Sequence, residues 1–424
     1  MTAQMSSYLQ VFTSRRIAVM ILLGLSSGLP LALTSGTLQA WMAVDGVDLR
    51  TIGIFSLVGL PYTLKFLWSP FMDRFAPPCF STRFRTLLGR RRGWILITQF
   101  ILLGGIFIMG MVPPKEAPGI MAGLALCVAF FSASQDIVVD AYRTDTLREK
   151  ERGIGSAIFV TGYRIGMIFS GALAMIMSDR IGWRNTYFVM AGLMTIGMVT
   201  TLISPEPESA PVHPRSLQEA VTGPLTDFFS RPSAVLILLL IILYKLGDAY
   251  AGTMTTAFLL RGLGFSATDV GTVNKGLGLI SVIVGATVGG TLMIRFGLFR
   301  SLLIFGILQA VSILSFVVLA GTGKSYPVMI WAVAFENLTG GMGTAAFVAL
   351  LMTLCTQRYS ATQFALLSSL AALGRVFVTP TSGFVVEVVG WAWFFAIAAL
   401  TAVPGLLLLV ILKRSIEDLK QAEA

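Results

Sequence analysis

Long apolar runs separated by short polar turns dominate this chain of 424 residues. A helix needs about 20 apolar residues to cross roughly 30 Å of hydrocarbon. Only helices or closed barrels satisfy their backbone there. Twelve runs reach that length, near 17–44, 51–72, 94–112, 118–141, 154–177, 185–204, 233–260, 270–294, 300–321, 326–353, 362–386 and 392–412. The alternating segments of about ten residues that would mark a barrel are absent. The pattern predicts an all-α polytopic membrane protein with 12 transmembrane helices. The first run follows Ser14-Arg15-Arg16 but has no small-residue cleavage site, so it reads as a retained helix.

The longest polar stretch, Pro205 to Pro232, carries Pro205, Pro207, Pro211, Pro214 and Pro224 and predicts an irregular linker, with a short surface helix around Leu217–Val221. It divides the chain into an N-terminal bundle of six spans (1–204), a cytoplasmic linker (205–232), a C-terminal bundle of six spans (233–412) and a cytoplasmic tail (413–424). The halves echo each other at an offset of roughly 210–220 residues: Gly46 and Gly53 with Gly264 and Gly271, Arg74 with Arg295, Arg164 with Arg375, and Gly182-Trp183 with Gly390-Trp391. Two pseudo-symmetric bundles rocking about a central site is the transporter solution that such repeats suggest.

Composition supports the pattern. The chain is 55% hydrophobic and 12% charged, about half the charge of a soluble domain. The net charge of +10 raises the question of a nucleic-acid partner, and its distribution answers it. With both termini inside, twenty Lys and Arg fall in inner segments and six in outer loops (Arg50, Lys115, Arg180, Arg184, Arg261 and Lys324). This asymmetry reports topology, with both termini cytoplasmic, and implies no nucleic acid. Cys79, Cys127 and Cys355 form neither a disulfide framework nor a metal spacing.

Ser69-Pro70-Phe71-Met72-Asp73-Arg74, followed by Gly89-Arg90-Arg91-Arg92, resembles the major facilitator signature. Ser69 replaces its glycine, about 14 residues are inserted before Gly89, and Ile294 stands where the second-half acid would be. That resemblance implies a gating-loop role for Asp73 and Arg74. Four further segments resemble the AmpG-type muropeptide permeases: Gly28 to Met42 (GLPLALTSGTLQAWM), Ser132 to Ala141 (SASQDIVVDA), Leu243 to Ala249 (LYKLGDA) and Phe335 to Gly343 (FENLTGGMG). The similarity runs roughly from Tyr8 to Leu409. It implies a major facilitator fold in a bacterial inner membrane. It further implies proton-coupled import of anhydro-muropeptides from the periplasm for peptidoglycan recycling and, in some bacteria, a part in β-lactamase induction. No cofactor or metal is implied, and the protein is expected to be a monomer in the lipid bilayer.

An ionisable group inside the membrane is a functional candidate by default. Ten fall within the spans: Lys65, Asp136, Asp140, Arg164, Lys245, Asp248, Lys275, Glu336, Arg375 and Glu387. Lys65, Asp140 and Glu387 lie near span ends, where long side chains reach the interface. In the fourth span, Ser132, Gln135, Asp136, Asp140 and Arg143 share one helical face. Asp136 either pairs with Arg164 as a buried charge partner or takes up a proton or substrate, and Gln135 is a candidate substrate contact. In the seventh span Lys245 and Asp248 either pair with each other or face the substrate, with Lys245 and Lys275 of the eighth as anchors for the carboxylates of a peptide stem. In the tenth, Glu336 either pairs with Arg375 or carries the proton, beside Asn337. Gly28 lies in a small-residue seam that serves helix packing or makes room for a disaccharide. Trp41, Tyr163 and Tyr250 could stack on sugar faces or anchor the helices. The one histidine, His213, is in the linker, so a proton site must be a carboxylate, and Asp136 and Glu336 are the candidates.

The runner-up reading is a major facilitator carrier for another sugar, peptide or siderophore. A membrane enzyme lacks any His/Cys or His/Glu constellation, and no P-loop for ATP is present. A channel lacks a positive signature.

Overall fold

The computed structural model describes residues 15–75, 77, 82–147, 152–205, 226, 228–230, 233–355 and 360–421. Every described element is helical. Among the described residues, seven stretches are long and apolar enough to cross a membrane. Three of them, Ile158–Ile203, Ala267–Thr322 and Leu366–Ile411, run for 46, 56 and 46 residues, far beyond one crossing. Each turns at a glycine: Gly182 (φ +78°), Gly297 (φ +73°) and Gly390 (φ +77°). With ψ at 161°, 170° and 172°, that backbone conformation is open essentially to glycine alone. The second predicted run is not one helix but three short ones joined by 3₁₀ turns.

The chain forms two compact units, Met1–Asp45 with Val58–Val212, and Gly46–Leu57 with His213–Ala424. Numbered along the chain, the first holds α1 (Arg15–Thr34), α2 (Gly36–Val44), α4 (Leu60–Leu64), α5 (Ser69–Arg74), α6 (Thr82–Met111), α7 (Pro118–Thr146), α8 (Arg152–Ile168) and α9 (Ala174–Ile203). The second holds α3 (Leu49–Ile54), α10 (Ala234–Tyr244), α11 (Leu246–Ala257), α12 (Ala267–Val270), α13 (Gly278–Thr322), α14 (Tyr326–Thr353), α15 (Ser360–Val378), α16 (Ser382–Leu400), α17 (Val403–Ile411) and α18 (Lys413–Gln421). Most of the linker, including Leu217–Val221 and His213, lies outside the described residues.

The units differ from the sequence division at one place. Residues 46–57 pack with the second unit, not with the first bundle. Arg50 pairs with Glu387, Arg261 donates to the Val47 carbonyl, and the Ser56 and Thr379 hydroxyls lie 3.0 Å apart. Asp48 starts α3 by accepting from the Thr51 amide at 2.8 Å. Burial works against the charge of that carboxylate, but the Thr51 hydrogen bonds win and hold it below its ordinary range.

The internal echo is visible in the backbone. Left-handed glycines pair as Gly46 with Gly264, Gly89 with Gly297 and Gly182 with Gly390. Inside each unit one helix pair touches backbone to backbone. A Cβ on Gly28 would lie 2.1 Å from the Tyr163 carbonyl oxygen of α8, and one on Gly285 of α13 would lie 2.0 Å from that of Leu338 in α14. Such approaches hold membrane helices together where apolar burial gives little drive between them. Large side chains such as Phe100, Val235, Ile294, Val388 and Ile411 are more than 60% exposed, which suits lipid and not water.

Candidate functional site

The second unit gathers its polar groups where a helix breaks. Lys245 separates α10 from α11 with φ −100° and ψ 5°, and interrupted helices are a recurrent device at transporter binding sites. Its Nζ lies 2.9 Å from Asp248 Oδ2. It also donates to Gln309 Oε1 and to the Gly340 carbonyl, both at 3.4 Å. Asp248 in turn faces Glu336 and Gln309. Asn337 Nδ2 donates to Glu336 Oε2 at 2.8 Å. Lys275 sits in a π-helical turn, Gly271–Leu277. That widened turn aims two consecutive side chains, Asn274 and Lys275, at Thr256 Oγ1, 3.4 and 3.1 Å away. Lys275 and Glu336 also face each other. Lys245 and Asp248 retain 20% and 25% of their side-chain surface, so a solute can reach them.

Two lysines and two carboxylates therefore share one site. With Glu336 protonated, the set Lys245, Lys275 and Asp248 carries one net positive charge; with Glu336 ionised it is neutral. The arrangement can bind an anion and exchange a proton at one place. Of the paired alternatives, Lys245 and Asp248 do form their ion pair, and they do so within reach of Lys275, Glu336 and Asn337.

The first unit is different. Gln135 donates through Nε2 to Ser27 Oγ at 3.1 Å, but its Oε1 and the Asp136 Oδ1 have no hydrogen-bond partner among the described residues. The cation facing Asp136 is Lys65. Asp140 pairs with Arg143 at 3.1 Å on the same helix, and Trp68 Nε1 donates to Ser134 Oγ at 3.0 Å.

Several expectations are corrected. No ion pair joins Asp136 to Arg164 or Glu336 to Arg375 among the described residues. Arg375 is exposed, and Glu336 has Asn337, Asp248 and the two lysines as neighbours instead. Gly28 is a packing position against α8 and not a substrate contact, because its open side is filled by the Tyr163 backbone. Trp41 is buried and stacks on Trp183 at 6.0 Å, and the Tyr250 hydroxyl lies 3.0 Å from that of Thr381. The gating-loop residues Asp73 and Arg74 end α5, but their side chains lie outside the described residues. Among the described residues no group of acidic, histidine or cysteine side chains could hold a metal.

Two participants escaped the sequence reading. Gln309 bridges between Lys245 and Asp248, its Nε2 closing no full hydrogen bond among the described residues. Tyr62 places a buried hydroxyl near Ser132 and Asp136. Both are uncharged, so a search for intramembrane charge passes over them. The polar stripe Gln309, Ser312 and Ser315 in an otherwise apolar run was the available signal.

Helix architecture and site define a membrane carrier. Residues 20–379 match the family model of the Major Facilitator Superfamily, and the chain belongs to that superfamily. It is 55% identical over 413 residues to the anhydromuropeptide permease of Escherichia coli K12, covering 97% of this chain and 82% of that one. At that identity over nearly the whole length, it belongs to that permease's family. A Haemophilus influenzae protein of uncharacterised function is 36% identical over 94% of this chain and 95% of its own. The fold resembles the crystal structure of the nucleoside transporter NupG, with TM-score 0.72 at 15% identity over 94% of this chain and 99% of that one.

Proposed function

We propose that this protein imports anhydro-muropeptides across the bacterial inner membrane by proton-coupled alternating access, with twelve crossings and both termini cytoplasmic. The observation that carries the cargo is the 55% identity, over 97% of the chain, to the E. coli anhydromuropeptide permease. The acid–lysine cluster of the second unit supports the mechanism. Lys245 and Lys275 bind carboxylates of the peptide stem, with Asn337 as an uncharged contact; Gln135 of the first unit is a separate uncharged cargo contact. Asp248 holds Lys245 in place, and Glu336 carries the proton. Protonating Glu336 leaves the cluster positive and fit for an anion; losing that proton neutralises it and releases the anion. Coupling is needed because each negative charge brought into a negative-inside cell costs about 2.3 kcal/mol per 100 mV. Asp136 is the alternative proton carrier.

Uptake of labelled anhydro-muropeptide into vesicles, with and without an imposed pH gradient, tests the proposal. Saturable accumulation that collapses with the gradient is expected. Equal accumulation without a gradient removes proton coupling, and uptake of an unrelated solute instead removes the cargo.

A further inference from the structure

Seven buried side-chain polar atoms have no hydrogen-bond partner among the described residues. Four lie in one neighbourhood of the first unit: Tyr62 Oη, Ser132 Oγ, Gln135 Oε1 and Asp136 Oδ1. Ser132, Gln135 and Asp136 share one face of α7 at spacings of three and four residues. Tyr62, from α4, turns its hydroxyl toward Ser132, Thr34 and Asp136, and no contact there closes to full hydrogen-bond geometry among the described residues. Ser132 and Gln135 are 1% and 0% exposed. An unsatisfied buried polar atom forfeits the hydrogen bonds it made to water, and native proteins keep few of them. Four together are unlike a packing defect and like a set of valences that a ligand completes.

Their chemistry selects the ligand. Gln135 uses its amide nitrogen on Ser27, so its exposed valence is an acceptor. The free oxygen of Asp136 is an acceptor whenever the acid is ionised, and Lys65 already faces it. A ligand carboxylate would therefore meet acceptors. An ammonium would satisfy those two oxygens, but it has no lone pair for the hydroxyl protons of Tyr62 and Ser132. A group that both donates and accepts answers all four atoms. We propose that Tyr62, Ser132, Gln135 and Asp136 form the recognition site for the uncharged saccharide part of the cargo, through its hydroxyl or acetamido groups. This rests on the muropeptide reading above and assigns Tyr62 and Ser132 a binding role.

The test is equilibrium binding of the peptide-free disaccharide N-acetylglucosaminyl-anhydro-N-acetylmuramic acid to the purified full chain. Tyr62→Phe and Ser132→Ala each remove one hydroxyl and are expected to weaken binding about 2- to 10-fold, the worth of one hydrogen bond. Thermal melting without ligand is the second readout. It should fall far less than affinity does, because neither hydroxyl completes a well-formed hydrogen bond to a protein group among the described residues. Unchanged affinity in both variants, with normal binding by the parent protein, overturns the saccharide site and leaves the cargo reading intact. A melting temperature that falls in step with affinity also overturns it, by showing a structural role. A folded parent protein that does not bind the disaccharide removes the cargo reading on which the proposal stands.

Discussion

Gln99 and Gln309 each lie in the helix that follows a left-handed glycine, Gly89 in the first half and Gly297 in the second, and the protein uses them differently. Gln99 accepts from Thr201 Oγ1 at 2.9 Å and donates to Ser26 Oγ at 3.4 Å. It is fully buried and satisfied, a tie between helices of the first unit. Gln309 accepts from Lys245 and turns Nε2 toward Asp248 without closing a full hydrogen bond among the described residues. Around these two glutamines the contrast reverses. The first concentrates neutral polarity with open valences around a single acid, Asp136. The second concentrates opposite charges that satisfy one another around Lys245, Asp248, Lys275 and Glu336. Duplicated backbones thus carry two kinds of site: one poised to complete hydrogen bonds, the other to change charge.

Breaking the charged site should have the largest effect. Lys245→Met leaves Asp248 beside Glu336 with one counter-charge fewer. Uptake should fall more than tenfold and stability by about 2 kcal/mol, below the 3–5 kcal/mol of a sealed pair because water reaches this one. The double variant Lys245→Met, Asp248→Leu should recover melting temperature but not uptake. Recovery of both would reduce the pair to a structural role.

The contrast sharpens most when the two acids are neutralised side by side. Glu336→Gln should abolish gradient-driven accumulation while sparing exchange of labelled for unlabelled cargo. Asp136→Asn should retain accumulation, with weaker binding. The reverse outcome moves the proton to the first unit.

Next come the helix seams, where the units should behave alike. Gly28→Ala and Gly285→Ala both drive a methyl group into a facing carbonyl. Each should lower stability by about 1–3 kcal/mol, read as a fall in melting temperature. A benign Gly28→Ala with selectively altered cargo affinity would return Gly28 to the binding site.

The smallest effects are expected at α3. Asp48→Ala should cost about 1 kcal/mol, the worth of an N-cap. The carboxyl is held below its ordinary range, so its contribution is present above the unfolded pKa of about 3.9 and is lost as pH falls through the folded value. Melting of the parent protein and of Asp48→Ala should therefore converge in acid. Glu387→Gln, in a pair whose arginine side chain is 55% exposed, should change stability by at most about 1 kcal/mol.

Membrane class, helical architecture, internal duplication and the charged residues Lys245, Asp248, Lys275 and Glu336 were all legible in the chain. Hydrophobic runs report bilayer thickness directly, and intramembrane charge is too costly to be incidental. The glycine pair 182 and 390 was legible too, because a reversal between adjacent apolar runs needs a backbone conformation that few residues adopt. Partnership was not legible. The helical period places Asp136 and Arg164 on neighbouring spans, but Lys65 is the cation whose charge faces the acid, since which groups meet depends on helix rotation and tilt. Residues 46–57 likewise belong by order to the first half and by packing to the second. The uncharged Tyr62 and Gln309 carry no signal in composition. Their importance comes from burial without a partner, and only tertiary structure creates that condition. One-dimensional pattern determined which groups the membrane must hide, and three-dimensional packing decided which of them meet.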